Sequence, residues 1–146
     1  MKTNTAFWDA SALVPLCCRQ PETTAASRLA RQYKKIEVWW GTVIEVQSAF
    51  SRLVREKEMT GAEFKQAMAR LRVLRDSWFE ILPTQEVRDL AEAALMKYEL
   101  RASDSFQLAA ALVWCDEKPR NRPFICFDAR LAEAAEAAGF KIYSTP

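Results

Sequence analysis

Short apolar runs alternate along the chain with longer segments in which apolar residues recur every three or four positions. The short runs are rich in aromatic and β-branched residues, which favour strands. They predict five strands, at residues 5–8, 36–40, 79–82, 124–127 and 140–143. The periodic segments predict helices at about residues 11–17, 22–33, 42–57, 60–77, 84–95, 106–114 and 129–138.

The order of these elements predicts an α/β protein. Strands that alternate with helices and have few polar interruptions indicate a parallel sheet covered by helices on both faces. We therefore expect a three-layer α/β/α architecture with a parallel sheet of four to five strands. The chain has 146 residues, the length of one domain, and no linker or repeat divides residues 1–146.

Local signals predict where several helices begin or end. Thr60 and Glu63 have the spacing of a capping box at the start of a helix. Gly139 suits the left-handed position that ends a helix. Ser103 is predicted to cap the helix that begins near Phe106.

Composition and charge predict a cytoplasmic protein that makes no membrane contact. The formal net charge of +2 permits binding to a polyanion without arguing for it. Residues 1–12 carry one Lys and no long apolar run, and no segment approaches the ~20 apolar residues that cross a bilayer. The cysteines lack CxxC spacing and are predicted to be buried thiols in a reducing compartment: Cys17, Cys18, Cys115 and Cys126.

The chain contains no histidine, which excludes Ser-His-Asp triads, Cys-His pairs and histidine metal sites. Four carboxylates stand out instead. Asp9 and Asp128 follow predicted strands, Asp104 lies near the start of a helix, and Glu45 lies inside one. Because the carboxyl ends of parallel strands share one edge of the sheet, these acids are expected to gather there. A ring of carboxylates suits a hard divalent cation, Mg²⁺ or Mn²⁺.

Each acid also has a purely structural explanation. Asp9 and Asp128 could cap the helices that follow them, and Asp104 could complement a helix N-terminus. Glu45 could pair with Arg52. When each residue is considered alone, the structural explanation is favoured over a functional one for the three Asp residues. For Glu45 neither explanation is favoured. The joint pattern favours a site, because independent caps need not fall on one sheet edge.

Four segments together resemble the PIN-domain ribonucleases, and within them the VapC-type toxins of bacterial toxin-antitoxin pairs. They are residues 7–14, 42–52, 100–112 and 124–135, the last followed by Gly139. The resemblance covers nearly the whole chain and implies a PIN-like fold. It places the family's acidic set on Asp9, Glu45, Asp104 and Asp128, with Ser11 as a supporting residue. Two departures are Cys126, where the family often has Thr or Ser, and Gln107, where it often has His. The first predicts weaker hydrogen-bonding support around Asp128.

The acids and the resemblance predict a metal-dependent endoribonuclease that hydrolyses RNA phosphodiester bonds with an activated water. Asp9, Glu45 and Asp104 are expected to hold a first cation, and Asp128 a second cation or the water. Water attack implies 5′-phosphate and 3′-hydroxyl products. Basic residues at the rim would receive the RNA backbone: Arg19, Arg52, Arg101 and Arg130, with Arg55 and Lys97 as further candidates, although such side chains are more often simply solvated.

Aromatic residues and an amphipathic helix pair suggest partners. Trp39 and Trp40 could stack on unpaired bases, although packing in the core is expected for at least one of them. The resemblance implies a homodimer and a cognate antitoxin that contact residues 42–77, although core packing alone would produce the same periodicity. An antitoxin of this type commonly inserts an Arg into the acidic pocket.

Three alternatives remain beside the nuclease. A haloacid-dehalogenase-like phosphatase wants a second Asp where this chain has Ser11. A response-regulator receiver domain requires adjacent acids before the phosphorylated Asp and a late Lys after a strand, and this pattern is not present. A non-catalytic RNA- or protein-binding module of the same fold is disfavoured only because all four positions are acidic at once.

Overall fold

The computed structural model describes residues 4–144. Strands and helices alternate through this range almost as the periodicity predicts. In chain order they are β1 (Thr5–Trp8), α1 (Ala10–Cys17), α2 (Thr23–Gln32), β2 (Lys35–Trp39), α3 (Thr42–Arg55), α4 (Gly61–Ser77), β3 (Phe79–Ile81), α5 (Gln85–Lys97), α6 (Ala102–Trp114), β4 (Pro123–Ile125), α7 (Ala129–Ala138) and β5 (Lys141–Tyr143).

The five strands form one parallel sheet in the order β3-β2-β1-β4-β5. The predicted fold class is therefore confirmed. The central strand β1 pairs with β2 on one side and with β4 on the other. The direction of winding reverses between β1 and β4, and such a switch point opens a crevice at the carboxyl ends of the strands. Asp9 and Asp128 follow the two strands that flank this crevice.

Helices cover both faces of the sheet because alternate residues of its inner strands point to opposite sides. In β1, Ala6 and Trp8 pack with the helices α1 to α4, and Phe7 packs on the other face with α5 to α7. Phe7 and Trp8 are fully buried. Burying such a side chain contributes roughly 1.5–3 kcal/mol, which explains why the strand carries no polar interruption.

The apolar faces of α3 and α4 pack mainly inside the chain. Val46 and Phe50 of α3 are fully buried, and Leu71 of α4 is 1% exposed. The Thr60 hydroxyl accepts a hydrogen bond from the Glu63 backbone N–H, and the Glu63 carboxylate accepts one from Thr60 N–H, so the predicted capping box is confirmed. Core packing is thus sufficient to explain the periodicity of this helix pair.

Most predicted boundaries differ from the observed ones by one or two residues, and two of the wrong ones, the start of α6 and the end of β4, lie beside the crevice. Helix α6 begins at Ala102, so Ser103 lies inside its first turn, is exposed and does not cap it. The Asp104 carboxylate instead accepts a hydrogen bond from the Arg101 backbone N–H at 3.3 Å. Strand β4 ends at Ile125, because the N–H groups of Phe127 and Asp128 turn to side chains, the Ser11 hydroxyl and the Cys126 thiol.

The remaining local predictions agree with the structure except at one cysteine. Gly139 adopts the left-handed conformation at φ 117°, as predicted. All four cysteines are free thiols, and three of them are buried, whereas Cys18 is only half-buried. Within residues 4–144, no helix combines the length and apolarity that a membrane span requires.

Candidate active site

A cavity of about 350 Å³ opens at the carboxyl edge of the sheet, between β1 and β4. Its wall brings together all four predicted carboxylates and the predicted supporting residue: Asp9, Ser11, Glu45, Asp104 and Asp128. They come from four separate parts of the chain, the β1–α1 turn, α3, α6 and the β4–α7 turn. Local capping cannot explain that convergence, which depends on the strand order.

Asp9 serves both as a helix cap and as part of the cavity wall. Its carboxylate accepts hydrogen bonds from the Ser11 backbone N–H at 3.2 Å and from the Ser11 hydroxyl. It is only 5% exposed, and this burial raises the pKa of the Asp9 carboxyl despite the bonds from Ser11. Ser11 also accepts a bond from the Phe127 N–H at 2.9 Å, which ties the β1–α1 turn to the β4–α7 turn.

Asp128 likewise caps its helix and faces the cavity. One carboxylate oxygen accepts hydrogen bonds from the N–H groups of Arg130 and Leu131, at 3.0 and 3.2 Å. The Cys126 thiol lies between the two turns, 3.6 Å from the Asp9 carboxylate and 3.3 Å from the Asp128 carbonyl oxygen. A thiol is a weak donor, so these contacts are weaker than those a hydroxyl would supply.

Glu45 lies in the first turn of α3 and is held by Gln107 of α6. The Gln107 amide nitrogen donates to the Glu45 carboxylate at 2.9 Å and to the Thr42 hydroxyl at 3.0 Å. Burial, then the nearby charge of Asp9, raises the pKa of Glu45 to about 8. Within residues 4–144 Glu45 forms no ion pair, so the suggested pair with Arg52 is absent.

Asp104 is 6% exposed and stands at the third position of α6, where the helix N-terminus favours a negative charge. Arg101 reaches from just before the helix to two acids. Its guanidinium lies 3.5 Å from the Asp104 carboxylate and 3.3 Å from that of Asp128. A basic side chain therefore already offsets part of the negative charge at the mouth of the cavity.

The four carboxylates of the cavity are the type of ligand that a hard divalent cation prefers, although they are not close enough together to coordinate one. Four carboxylates line the cavity, and burial raises the pKa values of Asp9 and Glu45, so a bound cation would stabilise their ionised forms. In the part of the chain that the structure describes, no three acidic or thiol groups stand close enough to coordinate one ion. Binding of one ion by three of these groups would therefore require their carboxylates to move closer together.

The predicted basic residues divide into two groups. Arg52 and Arg101 line the cavity. Arg19 lies in a separate groove with Cys17 and Arg70, and Arg130 lies with Lys97 in another. Arg55 is exposed and donates to Ser51. Only the first group is placed to touch a molecule inside the cavity.

The two neighbouring tryptophans also separate. Trp39 is 8% exposed and stacks on Phe106 at a centroid distance of 5.3 Å and an interplanar angle of 2°. Trp40 is 52% exposed. Trp39 is therefore a core residue, as expected for at least one of the pair, and Trp40 presents a free aromatic surface near the start of α3.

The sequence did not single out Gln20 and Glu22, which line the cavity wall. It also did not single out Thr42, which lies behind the wall and accepts a hydrogen bond from Gln107, the partner of Glu45. No local signal identifies the role of Thr42, since its contact with Gln107 joins residues 65 positions apart. Gln107 was noted only as a departure from a family pattern, without its contact to Glu45.

No protein-family model matches the chain, and no curated protein matches its sequence. Solved structures do match its fold. A toxin-antitoxin complex from Klebsiella pneumoniae is 17% identical with a TM-score of 0.62, over 86% of this chain and 88% of that chain. VapBC2 from Rickettsia felis, bound to a DNA fragment from its promoter, is 10% identical with a TM-score of 0.65, over 96% and 98%.

FitAcB from Neisseria gonorrhoeae is a third structural relative, 15% identical with a TM-score of 0.64, over 93% of this chain and 96% of that chain. These identities are low, so the likeness establishes the fold alone. The chain has the three-layer PIN fold, and the resemblance in fold predicted from its four sequence segments is confirmed.

Proposed function

We propose that this protein is a metal-dependent endoribonuclease and the toxin of a toxin-antitoxin pair. The observation that carries the proposal is the convergence of Asp9, Glu45, Asp104 and Asp128 on one cavity at the switch point of the sheet. The fold supports it, because structures that share the fold include a toxin-antitoxin complex and VapBC2. A chain without histidine has few other means of hydrolysing a phosphodiester.

Mg²⁺ or Mn²⁺ is the proposed cofactor. Asp9, Glu45 and Asp104 would hold a first cation, and Asp128 would hold a second or orient the attacking water. Such a cation would lower the pKa of a bound water and stabilise negative charge on the phosphate. Ser11 and Cys126 keep the Asp9 carboxylate in place through the contacts described above.

RNA is the proposed substrate, and two arginines at the cavity are the proposed phosphate contacts. An acidic cavity repels a phosphodiester, and Arg52 and Arg101 would offset that repulsion. Arg19 and Arg130 lie in grooves outside the cavity and would contact the strand further from the cut. With no histidine to activate a ribose 2′-hydroxyl, water attack leaves a 5′-phosphate and a 3′-hydroxyl.

A cognate antitoxin is the proposed regulator, and a homodimer the proposed assembly. Helices α3 and α4 retain exposed apolar side chains, Ile44 at 65% and Val73 at 68%, beyond those that the core uses. An antitoxin arginine would enter the acidic cavity and exclude the cation. Inhibition that persists after that arginine is replaced would contradict this route.

Cleavage of total cellular RNA with sequencing of the product ends tests the function. The purified protein is incubated with Mg²⁺, Mn²⁺ or EDTA beside Asp9→Asn, which keeps a good helix cap. Cuts at a few sites, with 5′-phosphate ends, that require metal and vanish in the variant would support the proposal. No cutting, or cutting unchanged in Asp9→Asn, would favour a non-catalytic binding module.

A further inference from the structure

Gln107 is a fully buried amide in a helix that otherwise buries mainly alanine and leucine. It belongs to α6 and is 0% exposed. Its side chain reaches α3, where the amide nitrogen donates to Glu45 Oε2 at 2.9 Å and to Thr42 Oγ1 at 3.0 Å. The amide oxygen accepts no hydrogen bond from any residue between 4 and 144.

The orientation of this amide follows from its partner. A carboxylate that holds a cation is ionised and can only accept hydrogen bonds, so in that state the nitrogen of Gln107 faces Glu45, as it does in the structure. The opposite orientation would place the amide oxygen against the carboxylate oxygens. A buried acceptor without a partner is unfavourable, and an apolar side chain of similar volume would avoid that cost. The benefit of the amide therefore lies in the hydrogen bonds that its nitrogen donates to Glu45 and Thr42, and of these two residues only Glu45 lines the cavity.

We propose that Gln107 is a positioning residue that fixes the Glu45 carboxylate toward the cavity for a divalent cation. The inference rests on the proposed function, in which Glu45 holds the cation. Gln107 does not line the cavity and reaches it only through Glu45. Partners that orient a metal ligand typically change metal affinity 10- to 100-fold when they are removed.

Titration calorimetry with Mn²⁺ tests this role, with Gln107→Met as the variant. Methionine keeps the length and volume of the side chain and removes both hydrogen bonds. We expect the Mn²⁺ affinity to fall about tenfold. The matched control is Ser105→Ala, which removes a partly buried hydrogen bond of the same helix, from the Ser105 hydroxyl to the Ala102 carbonyl oxygen. Its affinity should stay within about twofold of the parent protein.

A double-mutant cycle with Glu45→Ala separates positioning from a general loss of structure. If Gln107 acts through Glu45, Gln107→Met causes no further loss of Mn²⁺ affinity in the Glu45→Ala background. An equal loss in both backgrounds, or an unchanged affinity in Gln107→Met alone, would overturn the inference. The thermal unfolding of each variant is also measured without metal. An affinity loss seen only in samples that are already unfolded at the assay temperature would also contradict the inference.

The same titration distinguishes failure of the inference from failure of the proposed function. A parent protein that binds no Mn²⁺ and cuts no RNA contradicts the function itself. A parent protein that binds Mn²⁺ and cuts RNA, beside a Gln107→Met variant that binds Mn²⁺ equally well, contradicts only the role of Gln107.

Discussion

The guanidinium of Arg101 lies 3.3 Å from the carboxylate of Asp128, across the mouth of the acidic cavity. Its Nε atom also lies 3.5 Å from Asp104. The Arg101 side chain is 66% exposed, so it can leave this position at little cost. Arg101 therefore acts as an internal counter-ion to these two acids, at the mouth of the cavity through which a phosphate would approach.

Replacing Arg101 with Ala should therefore have two opposite effects. Mn²⁺ should bind about 2- to 5-fold more tightly, because the Arg101 guanidinium no longer competes with it for the carboxylates of Asp104 and Asp128. RNA should bind more weakly, with KM raised by a similar factor. Calorimetry measures the first effect and cleavage kinetics the second. Arg88→Ala, on the exposed face of α5, is the control and should change neither. Weaker binding of both ligands would contradict the counter-ion role.

The stability of the metal-free protein should fall as pH rises from about 4.5 to about 8. In that window folded Glu45 keeps a proton that the unfolded chain has released, so the folded state binds more protons. Urea unfolding in EDTA measures this effect. Across this pH range, the free energy of unfolding of the parent should fall by about 2–4 kcal/mol more than that of Glu45→Gln. Parallel pH profiles for the two proteins would contradict the raised pKa. Glu92→Gln, at an exposed position, should follow the parent.

Cys126 should be replaceable by serine but not by alanine. Cys126→Ser keeps a donor beside Asp9, and a hydroxyl donates more strongly than a thiol. We expect Cys126→Ser to bind Mn²⁺ at least as tightly as the parent, and Cys126→Ala to bind about tenfold more weakly. Cys115→Ala, which removes another buried thiol away from the cavity, is the matched control. Equal affinities in Cys126→Ala and Cys115→Ala would show that the thiol contact has no effect.

Trp39 and Trp40 should respond differently to truncation. Trp39→Ala removes a buried ring stacked on Phe106 and should lower the free energy of unfolding by about 3–5 kcal/mol. Trp40→Ala should leave stability nearly unchanged and raise KM for single-stranded RNA roughly tenfold, the effect of losing one stacked base. Chemical unfolding and cleavage kinetics measure the two quantities. An unchanged KM in Trp40→Ala would exclude base stacking there.

The periodicity of apolar residues is sufficient to predict the layers of this fold, because each strand and helix must bury a face against the sheet. Phe7 and Trp8 show this directly, since adjacent apolar residues fill the two opposite cores. The start of α6 is mispredicted because Ser103 has the propensity of a cap, whereas the helix is capped by a hydrogen bond from Arg101 to Asp104. Propensity alone cannot identify that bond.

The four acids that the structure brings together, and Ser11 beside Asp9, are predictable from the sequence, but the support of Glu45 is not. Asp9 and Asp128 show that capping a helix and lining a cavity are compatible roles, so the structural explanation of each does not exclude a functional one. The hydrogen bond between Gln107 and Glu45 joins two helices through residues that lie 62 positions apart in the chain. Such a contact depends on how α3 and α6 pack, which no local pattern encodes.

The central claim is tested most directly by the initial rate at which the protein cuts an RNA oligonucleotide that contains a mapped cleavage site, measured in saturating Mg²⁺. Asp9→Asn is compared with Asp89→Asn, the same chemical change at an exposed position of α5. The account predicts a rate at least about 100-fold lower in Asp9→Asn, an unchanged rate in Asp89→Asn and no cleavage in EDTA. Equal rates in the two variants, or cleavage that persists in EDTA, would contradict it.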